Sequence, residues 1–590
     1  MKRSRLLLAS AAISFLSLCL YAQDGHNAAA PPPPGLHTIA CAKRPVPQFE
    51  DITAKAGITF KHFSDPNKRY IPESMGGGVI LIDYDRDGWP DIYFTNAPSI
   101  AMQIAGKHVE GALYHNNHDG TFTDVTAKAG LTHACFGMGG AIGDINNNGW
   151  PDLFLTCLGG NILYRNNGDG TFTDITAKAG VRDGRWSTGA AFGDYDGDGR
   201  VDLMVSNYVD FSLKDLPAFG SAPNCRYLGI NVQCGPRGLK GSGDDLFHNN
   251  GNGTFTDVAR SAGVDDPSGY YGLGVLWSDF NNSGKPDLFV ANDSTPNFLY
   301  KNDGNGKFTD VGMVSGTALS NDGFEQASMG VAAGDYNHTG RPSLFVTNFS
   351  GENNDLYRND GGFNFTDVSY PSGIAVPSLR WVKWGNAFAD LDNDGWLDAV
   401  SVSGHVYPQV DGVPSAPPYK EPALLELNQK NSTFCDASQQ AGTAFSTPHA
   451  ARGLAVGDLF NNGNLDLVIE NLDGAPVILR NAGLPGRHWV SFALAGVKTN
   501  RMALNARVAI TAGGMTQTDE VHSGGSYLSQ NDIRLHFGLG AADEIDSVTI
   551  HWPSGLVEKL GPLRADQFYS VLEGHGIVPF KEIQPSKVTR

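Results

Sequence analysis

Carboxylates recur along this chain at positions one, three, five and nine of a nine-residue segment that carries glycine at position six. The first such segment presents Asp83, Asp85, Asp87, Gly88 and Asp91. Four oxygen donors on one short turn, with a glycine to tolerate its sharp reversal, make a ligand set for a hard cation. Ca²⁺ takes about 6–8 oxygens in a flexible shell, whereas Mg²⁺ demands a tighter octahedron and keeps several waters, so the pattern favours Ca²⁺. The segment is not an EF-hand, because the bidentate Glu at position twelve is missing. Its flanks, Gly78 to Ile82 and Ile92 to Thr95, are apolar and β-prone. The spacing predicts a cation loop at the tip of a β-hairpin.

The loop recurs in register. Loop two has Asp144, Asn146, Asn148, Gly149 and Asp152, and loop three has Asp194, Asp196, Asp198, Gly199 and Asp202. Loop four has Asp279, Asn281, Ser283, Gly284 and Asp287. Loop five keeps Asp335, Asn337, Thr339 and Gly340 but closes on Ser343. Loop six has Asp390, Asp392, Asp394, Gly395 and Asp398. Loop seven has Asp458, Asn462, Gly463 and Asp466, with Phe460 at position three. The position-seven carbonyls of Trp89, Trp150, Arg200, Lys285 and Trp396 would complete the shells. By carboxylate count, loops one, three and six are the strongest sites, two and four are weaker, and five is the one able to stand empty. The expected role is structural, since an ion ties together carboxylates that otherwise repel. A catalytic metal usually needs an open position and a histidine, and no loop contains a well-placed one.

Outside the loops, Asp293, Glu325, His405 and Arg452 are the side chains worth weighing for catalysis. A single acid or histidine in a glycine-rich stretch is more often a turn or hydrogen-bond residue, and no catalytic residue is assigned. There is no G-x-S-x-G, H-E-x-x-H, P-loop or dinucleotide fingerprint.

A second unit alternates with the loops. Its clearest copies run from Leu113 to Asp124 and from Leu163 to Asp174, two β-prone segments around an Asn/Asp/Gly turn. Each repeat therefore holds two hairpins, or four strands. The array begins at Phe49 with the second half of a turn unit and ends at Ile478–Asn481 with a first half. Ends that complete one unit describe a closed ring, which removes exposed sheet edges. The expectation is an all-β fold: a seven-bladed β-propeller over 47–485 with calcium-binding hairpin loops, a small C-terminal β domain over 486–572, and a tail over 573–590. Two insertions, Tyr208–Gly243 and His405–Glu421, are either binding loops or rim decoration. In the C-terminal region, Trp489–Leu494, Ala506–Thr511 and Ser547–Trp552 read as strands.

The 590 residues include 73 glycines, about twice the usual share, which suits many short strands and tight turns. The net charge of −19 argues against nucleic acid or an anionic membrane surface as partner. Residues 1–22 read as a signal peptide, basic at Lys2, Arg3 and Arg5 and then apolar, and 23–46 as a proline-rich linker. No other stretch is apolar and long enough to span a bilayer as a helix. Six cysteines remain beyond the signal, an even number that permits disulfides in an exported chain. Cys225 and Cys234 are the expected pair, and the connectivity of the others stays open.

At these residues the chain resembles the FG-GAP/VCBS repeat family, whose calcium-loop blades are also seen in integrin α-chain propellers. The C-terminal part resembles the ASPIC/UnbV domain through Asn500-Arg501, Ala506 to Val508, Ser523 to Gln530, His536 to Gly540 and Trp552 to Gly555. Asn505 stands where that pattern usually has glycine, and asparagine also tolerates the left-handed conformation. The order of the two parts is that of the cartilage acidic protein family. The resemblance implies a secreted calcium-binding protein and supplies no defined reaction. Three readings follow: a calcium-stabilised extracellular module binding a glycan or protein, a secreted polysaccharide lyase-like enzyme using rim loops, and an envelope structural protein.

Overall fold

The computed structural model describes residues 37–585 except 42, 133–134 and 222, so the signal segment 1–22 lies outside the described residues. The repeat region forms seven four-stranded antiparallel sheets. Sheet one is Val79–Ile82, Asp91–Phe94, Ala112–Asn116 and Phe122–Asp124, and the next five follow the same order along the chain. Sheet seven takes Ala451–Gly457, Asp466–Asn471 and Val477–Asn481 from one end of the array and Phe49–Asp51 from the other. Phe49 pairs with Asn481 and Asp51 with Leu479, so the two incomplete ends meet in one sheet. The first strands of consecutive sheets lie side by side in a cycle that returns from sheet seven to sheet one.

Each nine-residue loop joins the first two strands of its sheet. Position nine opens the second strand and pairs with the residue before position one, as in Ile82 with Asp91 and Gly143 with Asp152. An asparagine on the third strand then ties the sheets together. In sheet one, Asn116 donates its backbone N–H to Asp91 Oδ1 at 2.8 Å and its amide to Pro90 O at 3.1 Å and Leu459 O at 2.8 Å. Leu459 is position two of loop seven, in the preceding sheet. The same reach to the preceding loop is made by Asn166 to Tyr84 O, Asn249 to Ile145 O, Asn302 to Tyr195 O, Asn359 to Phe280 O, Asn428 to Tyr336 O and Asn481 to Leu391 O. A closed ring of seven buried side-chain bonds results.

The C-terminal region forms two four-stranded sheets. One is ordered Leu535–Gly540, His488–Ala495, Gln567–Leu572 and Gly576–Val578; the other is Met515–Glu520, Arg507–Ala512, Ser547–His551 and Val557–Leu560. Their apolar faces, with Val490, Phe492, Val508, Ile510, Phe537, Val548 and Ile550, join a core shared with sheets one to three. The tail expected over 573–590 is corrected in part, since Gly576–Val578 is a strand and Phe580–Ile583 a helical turn. The linker is corrected too: Cys41 is bonded to Cys435 and Ala40 bridges to Asp436, so its last residues are fastened to sheet six. Cys225 and Cys234 are paired, as are Cys135 and Cys157.

From this C-terminal region the segment Ser523–Gln530 enters the centre of the ring and bonds to the first strand of every sheet. Ser523 Oγ donates to Ile142 O and accepts from Phe192 N, and Gly525 N donates to Val275 O. Ser526 exchanges backbone bonds with Val331, while its hydroxyl accepts from Asn386 N and donates to Leu454 O. Gln530 exchanges bonds with Val79 and Leu81. The approach is close enough to require glycine, because a Cβ at Gly78 or Gly139 would lie 2.1 or 2.3 Å from Leu528 O. Tyr527, fully buried, donates to Met75 O at 2.7 Å and packs edge-on against Trp384. The segment satisfies backbone groups that an open axis would leave to water.

Replacing Asn116 by Ala leaves buried partners unpaired, so a loss of about 2–3 kcal/mol is expected in urea unfolding; Asn117→Ala, on the exposed turn, should cost less than about 1 kcal/mol. Tyr527→Ala should cost about 3–5 kcal/mol, the scale of a large buried aromatic. Equal effects for Asn116 and Asn117 would contradict the ring.

Candidate metal centres

The shape of each loop is set by its first carboxylate. Asp83 accepts from Asp87 N at 3.0 Å and Gly88 N at 3.1 Å. Asp144, Asp194, Asp279, Asp335, Asp390 and Asp458 accept from the same two positions of their own loops. Position four is left-handed in all seven loops, from Arg86 at φ 56° to Asn461 at φ 47°, and the glycine at six follows it there. Five position-four side chains reach the position-six carbonyl of the next loop: Asn147 to Gly199, Asn282 to Gly340, His338 to Gly395, Asn393 to Gly463 and Asn461 to Gly88. Five of the seven junctions between neighbouring loops are thus linked on one face; Arg86 of loop one reaches Ile583 O instead, and position four of loop three is Gly197.

Three loops gather carboxylates into cages that could hold a cation: Asp83, Asp85 and Asp87; Asp194, Asp196 and Asp198; Asp390, Asp392 and Asp398. A ligand oxygen from each lies within 4.8 Å of the others. Asp85 Oδ1, Asp202 Oδ2 and Asp392 Oδ1 are buried without a hydrogen-bond partner, the condition a bound cation would relieve. Burial is the main cause that pushes Asp83 up to about 6, Asp194 to about 7, and Asp91 and Asp287 to about 8. These all-oxygen clusters could hold a metal ion, and their donors are of the kind that suits a hard dication. In loops two and four the corresponding side chains are Asp144, Asn146, Asn148 and Asp152, and Asp279, Asn281, Ser283 and Asp287; the buried Glu520 of the C-terminal region stands beside Asp279.

The loops differ in ways their carboxylate counts do not predict. In loop six, Arg44 bonds Asp392 and, at 3.1 Å, Asp394, while Lys430 also meets Asp394 at 3.1 Å. A loop with four carboxylates is therefore already counter-charged by this chain. In loop seven, Phe460 is buried and Arg480 stacks on it at 4.5 Å, which closes position three beside Asp458, Asn462 and Asp466. In loop five, Ser343 Oγ accepts from Asn359 N at 3.1 Å, so the tie between strands survives without the acid. The expectation concerned histidines within the loops, and the structure brings two to them from outside. His115 and His248 come from the third strand of sheets one and three to lie 3.2 Å from Asp91 and Asp202.

The residues weighed for catalysis do not assemble into a site. Asp293 is buried and accepts from Tyr208 Oη at 2.5 Å and Ser294 Oγ at 2.8 Å. Arg452 is fully buried, stacks over Trp384 at 4.1 Å and donates to the carbonyls of Ser74, Gly404, Ala451 and His405. His405 accepts from Tyr407 N and lies among the rings of Tyr227, Phe349 and Tyr407. Glu325 is at the surface, paired with Arg237. The insertions Tyr208–Gly243 and His405–Glu421 supply much of this aromatic cluster. They follow second strands, which run back from the loops, so they cover the opposite end of the axis.

The C-terminal region rests on the loop face. Arg534 donates to Gly88 O, Asp458 O and Asn461 Oδ1, Arg501 N to Asn147 Oδ1, and His536 Nε2 meets Asn393 Oδ1. A cavity of about 390 Å³ lies at this junction, with Trp89, Met502, Ile533, Phe568 and Phe580 in its wall.

Family models match in two places. The FG-GAP-like repeat matches residues 83–155, 144–205, 238–290, 279–346 and 335–401, and "ASPIC and UnbV" matches 496–578. Cartilage acidic protein 1 of Mus musculus is 27% identical over 333 residues, covering 54% of this chain and 47% of the relative. The Homo sapiens protein is 27% identical over 315 residues, covering 51% and 43%. The chain thus spans about half the length of the curated relatives it matches. Among solved structures, an Agrocybe aegerita lectin is 17% identical over 61% of this chain and 79% of its own, with a TM-score of 0.34. The BBS1N domain is 10% identical over 72% and 98%, with a TM-score of 0.37, and at such scores neither likeness carries an argument. The chain is a protein of FG-GAP-like repeats with a C-terminal ASPIC/UnbV domain, a distant homologue of cartilage acidic protein 1.

Proposed function

We propose that this chain is an exported seven-bladed β-propeller over 47–485, capped by a C-terminal domain from 486, that acts as an extracellular binding or adhesion module for a glycan or protein. Ca²⁺ is the structural ion of its acidic loops. The carrying observation is the way the ring is spent: its axis is filled by Ser523–Gln530 and its far end by packed insertions. What remains for a partner is the outer surface, where most neighbouring loops are linked, and the cavity at the junction with the C-terminal region. The four side chains weighed for catalysis are committed to packing or to a surface ion pair, so none of those four supports the lyase-like reading. Three disulfides fit an oxidising compartment.

Affinity electrophoresis of the mature protein against a panel of polysaccharides, with Ca²⁺ and with EDTA, tests the ligand. Ca²⁺-dependent retardation with the polymer left at full length is the expected result. Shortened polymer would overturn the binding-module reading in favour of an enzyme.

The ion is tested by melting. EDTA should lower the melting temperature and Ca²⁺ restore it, by about 2.7 kcal/mol for one site at a hundred times its Kd. Asp83→Asn and Asp196→Asn should each shrink that response, and an unchanged melt in EDTA would contradict structural calcium. Because Arg44 competes for loop six, Arg44→Ala should strengthen Ca²⁺ binding there, seen as an additional tight site by calorimetry; equal binding would show that Arg44 does not compete.

A further inference from the structure

Two of the seven loops carry a donor that calcium chemistry does not ask for. His115 Nδ1 lies 3.6 Å from Asp85 Oδ2 and 3.2 Å from Asp91 Oδ1. His248 Nδ1 lies 3.4 Å from Asp196 Oδ2 and 3.2 Å from Asp202 Oδ1. In each group, one oxygen of each carboxylate and one imidazole nitrogen lie within 4.8 Å of one another. The same triad is therefore built twice, in sheets that are not neighbours. Asp202 is fully buried, and its Oδ1 is the oxygen that faces His248, as Asp91 Oδ1 faces His115.

The residue that occupies the histidine's place in the other sheets follows the charge of the loop beside it. Loops two, four, five and seven, with two carboxylates or fewer, have Arg165, Lys301, Arg358 and Arg480 there. Loop six, with four, has Leu427 and receives Arg44 and Lys430 from elsewhere. Loops one and three alone combine four carboxylates with an imidazole. A lysine or arginine supplies permanent charge and cannot ligate, whereas an imidazole offers a nitrogen lone pair. Ca²⁺ is bound through oxygen, and two carboxylates with one imidazole suit the borderline dications of the first transition row.

We propose that loops one and three are mixed carboxylate–imidazole sites for a zinc-class divalent cation. Asp85, Asp91 and His115 are the ligands in one, and Asp196, Asp202 and His248 in the other. The proposal rests on reading the acidic loops as cation sites: loops one and three, which calcium fills when it is the only divalent cation, prefer the zinc-class ion when both are present.

The test uses the full-length mature protein, stripped with EDTA and then held at about 1 mM Ca²⁺, the range of extracellular calcium modules. Titration with Zn²⁺ should show two equivalents that calcium does not displace. The His115→Gln/His248→Gln variant should bind Zn²⁺ about 10–100-fold more weakly, at least the loss expected when even an outer-shell partner of a metal site is removed. Its melt in Ca²⁺ alone should match that of the parent, which shows that the fold survives. Co²⁺ used as a probe should give a visible spectrum in the parent that changes in the variant. Equal Zn²⁺ affinity in parent and variant, or zinc fully displaced by calcium, would overturn the proposal. If calcium fails to raise either melt while the histidine-dependent zinc remains, the calcium reading falls and this one stands.

Discussion

The ring depends above all on one carboxylate geometry, the use of the aspartates that open every loop and close six of the seven, Ser343 taking the closing place in loop five. The position-one acid draws two backbone N–H groups inward and fixes the turn. The position-nine acid accepts from the asparagine of the third strand, and that asparagine reaches the preceding loop. A local turn is thereby converted into contact between sheets, repeated until the circle closes. Each such bond is modest in net terms, yet breaking one strands buried partners. The acidic loops are thus the joints of the fold as well as ornaments on it.

The filled axis changes what the architecture offers. A closed ring of sheets ordinarily leaves a channel at its centre, and binding residues are sought at its mouths. Here the channel is used to anchor the C-terminal domain, whose hydroxyls and backbone complete the inner edge of all seven first strands. The domain is held on the loop face by Arg534, Arg501 and His536 as well. Two regions that differ in sequence character therefore share one core and one face. The order of repeats followed by this domain has a physical reason in that sharing.

Much of this was legible in the residues. The nine-residue pattern marks every loop, and the half-units at Phe49 and Ile478 announce the sheet in which they pair. Cys225 and Cys234 are close enough in sequence to suggest their bond, whereas Cys41 and Cys435 are 394 residues apart and carry no such signal. Ser523–Gln530 was visible only as a glycine-rich family motif, because a segment whose partners are seven distant strands has no periodicity of its own. Arg44 was one cation in a proline-rich stretch, with nothing to tie it to loop six. His115 and His248 could have been found: aligning the third strands shows histidine beside two of the three four-carboxylate loops, leucine beside the third, and arginine or lysine beside the other four. Counting carboxylates within the loops alone hid them.

The most direct measurement is anomalous diffraction at long wavelength from crystals grown with Ca²⁺ as the only divalent cation. The account predicts discrete peaks enclosed by the position-one, -three and -five side chains of the acidic loops, above all within Asp83, Asp85 and Asp87 and within Asp194, Asp196 and Asp198. An anomalous map that is flat over every loop, with these carboxylates bonded only to water or to protein cations as loop six is to Arg44, would contradict it.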